Sequence, residues 1–544
     1  MKRGKRGILW PILFAVLTAN LAAFGGILIL ARPIWYGIDD FLEAAAGVAL
    51  PWVLGIFALT VALTAYAGFL TYRSAKKYRA GQENAPGLVH KIVFFFVLVV
   101  WNGMLALLLS QMGTETGKLQ FQFLELSGWI LLSALLVILI LVLPLSRFWK
   151  NARFRFIVFL LLPAAIVFCS IDPGKPTVAA GPYLHAPTET SVTVGWITKE
   201  PCVGWVEYGQ NGKLDKKAYS MENGLIAANQ TVNKIKLEGL APGQTYEYRI
   251  VSRKIKNQFP YDVEYGQTFY GEVFRFTTLD ASKSEFSFLV IADLHENVEL
   301  LTRLIKTQAG QPYDFVVFNG DALDYLTSEA QMVQRFFAPV SELFASQTPF
   351  VLVRGNHETR GKLARRLTDY IDTPSGKYYG TFRHGPVEFL VLDTGEDKAD
   401  DHEEYAGLVN FAAYRQEEGS WLKGAVLEES YGAAPFRVAF AHIPLNEFQT
   451  EGSESSSSGY QKEWAKALTG SGLDLMLSGH YHINRAYMPE GDVGFPVVLA
   501  GGEAFQEAGY RLLRVTVTGD AIELNYIDEN GNVTDSLTVE RANP

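Results

Sequence analysis

Five times between residues 286 and 484, an apolar run about one strand long stops at a residue able to bind a metal ion or carry a proton. "FSFLVIADLHEN" stops at Asp293 and His295, and "YDFVVFNGDALDY" at Asp321 and Asp324. "PFVLVRGNHET" stops at Asn356 and His357, "RVAFAHIPL" at His442, and "LDLMLSGHYHIN" at His480 and His482. The alternation of strand, polar turn and helix predicts a layered α/β domain over 281–544. In such domains sites form at the carboxyl ends of the strands, so five ends can meet along one edge. His480 and His482 stand at i and i+2, which in an extended segment turns both imidazoles to the same side.

The donors are carboxylate, imidazole and carboxamide, with no thiolate, a set suited to divalent or trivalent first-row metals of intermediate hardness. Asp293, His295, Asp321, Asn356, His442, His480 and His482 are too many for one tetrahedral ion. They suffice for two if one carboxylate bridges. The two cysteines, Cys169 and Cys202, make no disulfide framework.

The segment before this domain changes period. After "DPGKPT", "SVTVGW" puts Val192, Val194 and Trp196 on one face, and "YEYRIV" and "VFRFTT" alternate in the same way. An antiparallel β-sandwich is expected over 173–280. "LEGLAPGQTYEYRI" resembles the fibronectin type III pattern through Leu240, Pro242, Gly243 and Tyr246. His185 is expected on the surface of this module.

The first 172 residues have another character. Apolar runs near 8–31, 48–70, 92–110, 127–145 and 156–171 are mostly close to the ~20 residues that cross a bilayer. Five transmembrane helices are expected. Basic residues gather before the first run, between the second and third (Arg73, Lys76, Lys77, Arg79, Lys91) and between the fourth and fifth (Arg147, Lys150, Arg153, Arg155). The positive-inside rule makes those loops cytoplasmic and everything after about residue 172 extracytoplasmic, at the plasma membrane. No Asp, Glu, Lys, Arg or His lies inside a run, which argues for an anchor or platform rather than a transporter. Net charge is −9 overall, and 15 Lys+Arg against 7 Asp+Glu in residues 1–172 leave the remainder strongly acidic. That offers no basic footprint for nucleic acid. "EGSESSSSG" at 451–459 reads as a loop.

Taken together, the series D-x-H, G-D-x-x-D, G-N-H-E, a lone His before I-P, and G-H-x-H resembles the calcineurin-like metallophosphoesterase family. The preceding β-module and its "GPYL…VGW" opening make it similar to the purple acid phosphatase branch over about 175–544. The resemblance implies a β-sandwich flanked by helices, with two metal ions (Mn, Fe or Zn) at one edge. Metal one would take Asp293, His295, Asp321 and His482, and metal two Asp321, Asn356, His442 and His480, with Asp321 bridging. The chain departs from that branch at His295, where a small residue is usual, and at Asp324, where a metal-binding Tyr is usual. Tyr325 is one position late, so iron-tyrosinate chemistry is not expected.

The expected chemistry is hydrolysis of a phosphate ester by in-line attack of metal-bound hydroxide. His357 would protonate the leaving oxygen, with Asp324 fixing its tautomer and raising its pKa. Arg354 is a candidate for binding substrate phosphate, and His384 and His402 are expected outside the site. The expected substrate is a small-molecule or lipid-linked phosphate ester. Alternatives are a phosphodiesterase, a lipid-linked phosphate or pyrophosphate hydrolase, and an inactive membrane-anchored sensing protein.

Overall fold

The computed structural model describes residues 174–373, 375–445, 459–502 and 509–541. The five expected spans, Cys169 and the Ser-rich stretch up to 458 lie outside the described residues. Among those described, no helix is long and apolar enough to cross a membrane.

The first module is built on one long strand. Val192–Gly209 breaks register between Ile197 and Cys202. Its first half pairs with Val178–His185 and Gln230–Leu237, and its second half with Thr245–Phe259 and Lys216–Ala218. The two halves fold over one core that holds Val192, Val194, Trp196, Val206, Tyr248 and Phe276. The alternation that predicted Val192, Val194 and Trp196 on one face therefore reports a real interior. At the turn before Thr245–Phe259, the Ala241 amide donates to the Tyr246 hydroxyl at 3.0 Å.

His185 departs from expectation. It is fully buried, because Val178–His185 docks its last residue beside Phe350 of the next domain. The Asp372 amide donates to His185 Nδ1 at 3.1 Å, and the ring packs near Tyr183 and Phe350. Through this pairing the module's sheet runs on into the first sheet of the α/β domain.

That first sheet has the order Val533–Glu540, Ala521–Ile527, Leu512–Val517, Phe286–Ile291, Phe315–Asn319, Phe350–Val353, the last three parallel. A second sheet runs Gly380–His384, Val387–Leu392, Phe436–Ala441, Leu475–Ser478, Val497–Leu499, Arg485–Tyr487, and its four middle strands are parallel. These strands are apolar on both faces because both faces are covered. Phe288, Val290, Phe315 and Val317 meet Phe389, Val391, Phe440 and Leu477 between the sheets. Phe288 and Phe389 stand edge to face at 5.5 Å and 89°, an arrangement worth ~1 kcal/mol beyond area burial.

The outer faces take helices. Leu289, Ile291 and Phe318 pack against Val298–Thr307 and Phe336–Phe337, while Leu390, Ala439 and Met476 pack against Leu422, Trp464 and Leu468. The layers are helix, sheet, sheet, helix. The parallel strands of both sheets put their carboxyl ends on one rim.

Candidate metal centre

Each motif begins where a strand ends and the backbone turns sharply. Asp293, His295, Asp321, His480 and His482 all have positive φ, between 46° and 73°. Non-glycine residues adopt this region at a cost, and clusters of such positions mark functional sites. The motif glycines also allow close approach. A Cβ on Gly320 would sit 2.1 Å from His442 Nδ1, and one on Gly355 would sit 2.2 Å from Asp321 Oδ1.

The turns bring all seven expected metal-binding side chains together. Asp293, His295 and His482 offer ligand atoms within 4.8 Å of one another, and so do Asp321, His442 and His480. His295 Nε2 and His482 Nε2 lie 3.1 Å apart. Asn356 Oδ1 is 3.1 Å from both His442 Nε2 and His480 Nδ1, and Asp321 Oδ2 is 3.0 Å from His442 Nε2. Asp293 is further held by the His480 amide, which donates at 2.9 Å to Oδ1.

The donor set asks for cations. His442 Nδ1 donates to the Asn319 carbonyl at 2.8 Å, so in a neutral ring Nε2 is a bare lone pair aimed at two oxygens. Burial alone would lower its pKa, but the Asp321 carboxylate, with Asp293 and the Asn319 carbonyl, outweighs burial and pushes it up to about 10. A proton thus answers the same demand that a metal ion would. Burial raises Asp321 as well, yet the His442 charge beside it holds its carboxyl well below the usual range. Asp293, fully buried, rises to about 6. His480 is lowered to about 4, by burial and then by His442.

Two expectations about the surroundings are corrected. The Asp324 carboxylate belongs to His295, whose Nδ1 it meets at 2.6 Å, and lies 3.7 Å from His357 Nδ1. What orients His357 is the Asp324 backbone carbonyl, which accepts from Nδ1 at 2.8 Å. Accordingly the His357 pKa falls, because burial dominates, whereas His295 rises because burial is outweighed by the Asp324 hydrogen bond together with the charges of Asp321, Asp293 and Asp324. Arg354 is likewise committed elsewhere. Its guanidinium pairs with buried Asp393 at 2.6 Å and lies over the Tyr378 ring at 4.1 Å.

His384 and His402 stay outside the cluster. His384 accepts from the Asp280 amide at 3.0 Å and donates to Asp314 at 2.7 Å, which ties the interdomain linker to an edge strand. His402 caps the short turn Glu403–Tyr405.

One residue escaped the sequence reading although its motif was noticed. Glu358, fully buried, accepts from the amides of Asp321 at 3.0 Å, Leu323 at 3.0 Å and Gly355 at 2.8 Å. It thereby welds the turn that carries Asp321 to the turn that carries Asn356. A carboxylate placed one residue after His357, directly behind an apolar strand, was the available signal.

Comparison with known proteins agrees with this geometry. Residues 286–484 match the family described as calcineurin-like phosphoesterase, and residues 182–278 match the purple acid phosphatase N-terminal domain. The second match replaces the fibronectin type III expectation for the β-module. A serine/threonine-protein phosphatase, CPPED1 of Bos taurus, is 29% identical over 143 residues, which is 26% of this chain and 43% of that protein. The chain thus spans less than half of that relative's length. The purple acid phosphatase PPD1 from yellow lupin (Lupinus luteus) seeds superposes with a TM-score of 0.51 at 17% identity, covering 68% of this chain and 75% of that one. Residues 286–484 therefore form a calcineurin-like phosphoesterase domain, preceded at residues 182–278 by a purple acid phosphatase N-terminal domain.

Proposed function

We propose that the protein hydrolyses phosphate esters at a two-metal centre held by Asp293, His295, Asp321, Asn356, His442, His480 and His482. The observation that carries the reading is the convergence of lone pairs from five strand ends on one rim, with Asp321 in reach of the donors of both halves. Two ions bound there would activate water and neutralise phosphate charge.

The chain's own groups supply the rest. Asp324 fixes the His295 tautomer, so that Nε2 faces the centre. His442 is fixed in the same way by the Asn319 carbonyl. With Nδ1 bonded to the Asp324 carbonyl, His357 presents Nε2, which accepts a hydrogen bond when neutral and donates one when charged. Its lowered pKa makes it an acid toward the leaving oxygen only on the acidic side of neutrality.

The apolar runs of residues 1–172 and their alternating basic loops support a membrane-anchored form with this domain outside the cytoplasm. The deciding experiment strips the purified protein of metal and restores Mn, Fe or Zn singly and in pairs. Each form is then assayed on soluble monoesters, diesters and lipid phosphates. Metal-dependent release of phosphate supports the reading, and a fully loaded but inert protein on every ester refutes it.

A further inference from the structure

Tyr325 stands beside the proposed proton donor and is built to be seen by a ligand. Its ring leans on the His357 ring, centroids 5.3 Å apart at 33°, while the side chain stays 46% exposed. An exposed tyrosine alone is ordinary. Here the flanking residues Leu323 and Leu326 are buried, and the backbone between them is pinned. Leu326 N donates to the Arg360 carbonyl at 2.9 Å, Leu363 N donates back to Leu326 at 2.9 Å, and the Gln331 amide donates to the Tyr325 carbonyl. The ring is thus presented by a rigid turn, at little entropic cost to whatever meets its open face.

His357 joins this ring to the centre. The His295 ring also stands edge-on to that of His357 at 4.7 Å, and His295, Asp321 and His357 offer atoms within 4.8 Å of one another. A leaving group that takes its proton at His357 Nε2 therefore departs next to Tyr325. We infer that Tyr325 is a specificity-determining residue, a stacking platform that favours phosphate esters whose leaving group is a flat aromatic or heteroaromatic ring. The inference rests on the phosphoesterase reading above.

Two non-hydrolysable probes test it. Metal-loaded wild type, Tyr325→Ala and Tyr325→Phe are titrated calorimetrically with phenylphosphonate and methylphosphonate. Rates on phenyl phosphate and glycerol phosphate follow in parallel. One stacked pair is worth about three- to tenfold, so wild type should prefer the phenyl probe by about that factor. Tyr325→Ala should lose the preference, and Tyr325→Phe should keep it. The kcat/KM ratio of the two esters should move in step. An unchanged preference in Tyr325→Ala, or an equal loss on both probes, overturns the platform while phosphoesterase activity stands. If no loaded form binds either phosphonate or cleaves either ester, the phosphoesterase reading falls and the platform with it.

Discussion

His185 makes a sharp statement about stability against pH. It is fully buried where the β-module docks on Phe350, and burial, ahead of all other influences, lowers its pKa from 6.5 to about 4. Its Nδ1 accepts from the Asp372 amide, so protonating that atom would also set donor against donor. The folded pKa lies below the unfolded one, so between the two the unfolded chain binds more protons. Stability attributable to this group is therefore complete above pH 6.5, declines as pH falls, and is lost below about 4. A shift of that size at about 1.4 kcal/mol per unit amounts to about 3 kcal/mol, or roughly one proton's slope across the window.

The perturbation is His185→Gln, which cannot charge and can still accept from the Asp372 amide. Losing the imidazole's packing against Tyr183 and Phe350 costs a fixed amount at every pH. Every other ionisable group is common to both proteins and drops out of the difference. Urea unfolding of the metal-free protein at pH 7.5, 6, 5 and 4.5 should thus show the variant less stable at pH 7.5, with the gap closing by about 2 kcal/mol or more toward pH 4.5. A gap that stays constant across that range would mean that His185 titrates normally in the folded protein, and the burial argument would be wrong.

Asp321→Ala should empty both metal positions at once, whereas Asn356→Ala should spare the half built on Asp293, His295 and His482; metal content per chain distinguishes them. Glu358→Gln replaces one acceptor oxygen with a donor facing the Leu323 amide, and loss of such supporting bonds typically costs 10- to 100-fold in metal affinity; chelator competition measures it, and unchanged affinity would remove Glu358 from the centre. A single cysteine at an exposed site such as Tyr261, after replacement of Cys169 and Cys202, should react with an impermeant reagent in intact cells. Protection until the membrane is breached would place the domain in the cytoplasm.

The candidate metal ligands were legible because each is written locally, as an apolar run with a polar stop. Their partners were not, because partnership is decided across the sheets. Two histidines, His295 and His357, flank a single Asp324 carboxylate, and nothing in the spacing says which one receives it. The path of the turn after Asp321, with its positive φ, delivers the carboxylate to His295 and leaves the carbonyl for His357. His185 was misjudged for a similar reason, since its burial comes from Phe350 and Asp372 of the other domain.

The local pattern also over-predicts, and the sheet order says why. A sixth apolar strand, Val387–Leu392, stops at Asp393 in the same manner as the other five. The strands that feed the centre most directly are inner neighbours, Phe286–Ile291 and Phe315–Asn319 in one sheet, Phe436–Ala441 and Leu475–Ser478 in the other. Val387–Leu392 and Phe350–Val353 each lie one strand further along. Their ends neutralise one another as the Arg354–Asp393 pair. The chain past Arg354 must then run on through Gly355 before Asn356 can turn its oxygen to His442 and His480. The same rule of polar stops therefore yields a candidate metal ligand at an inner strand and a buried ion pair one strand out, and only the order of the strands separates the two.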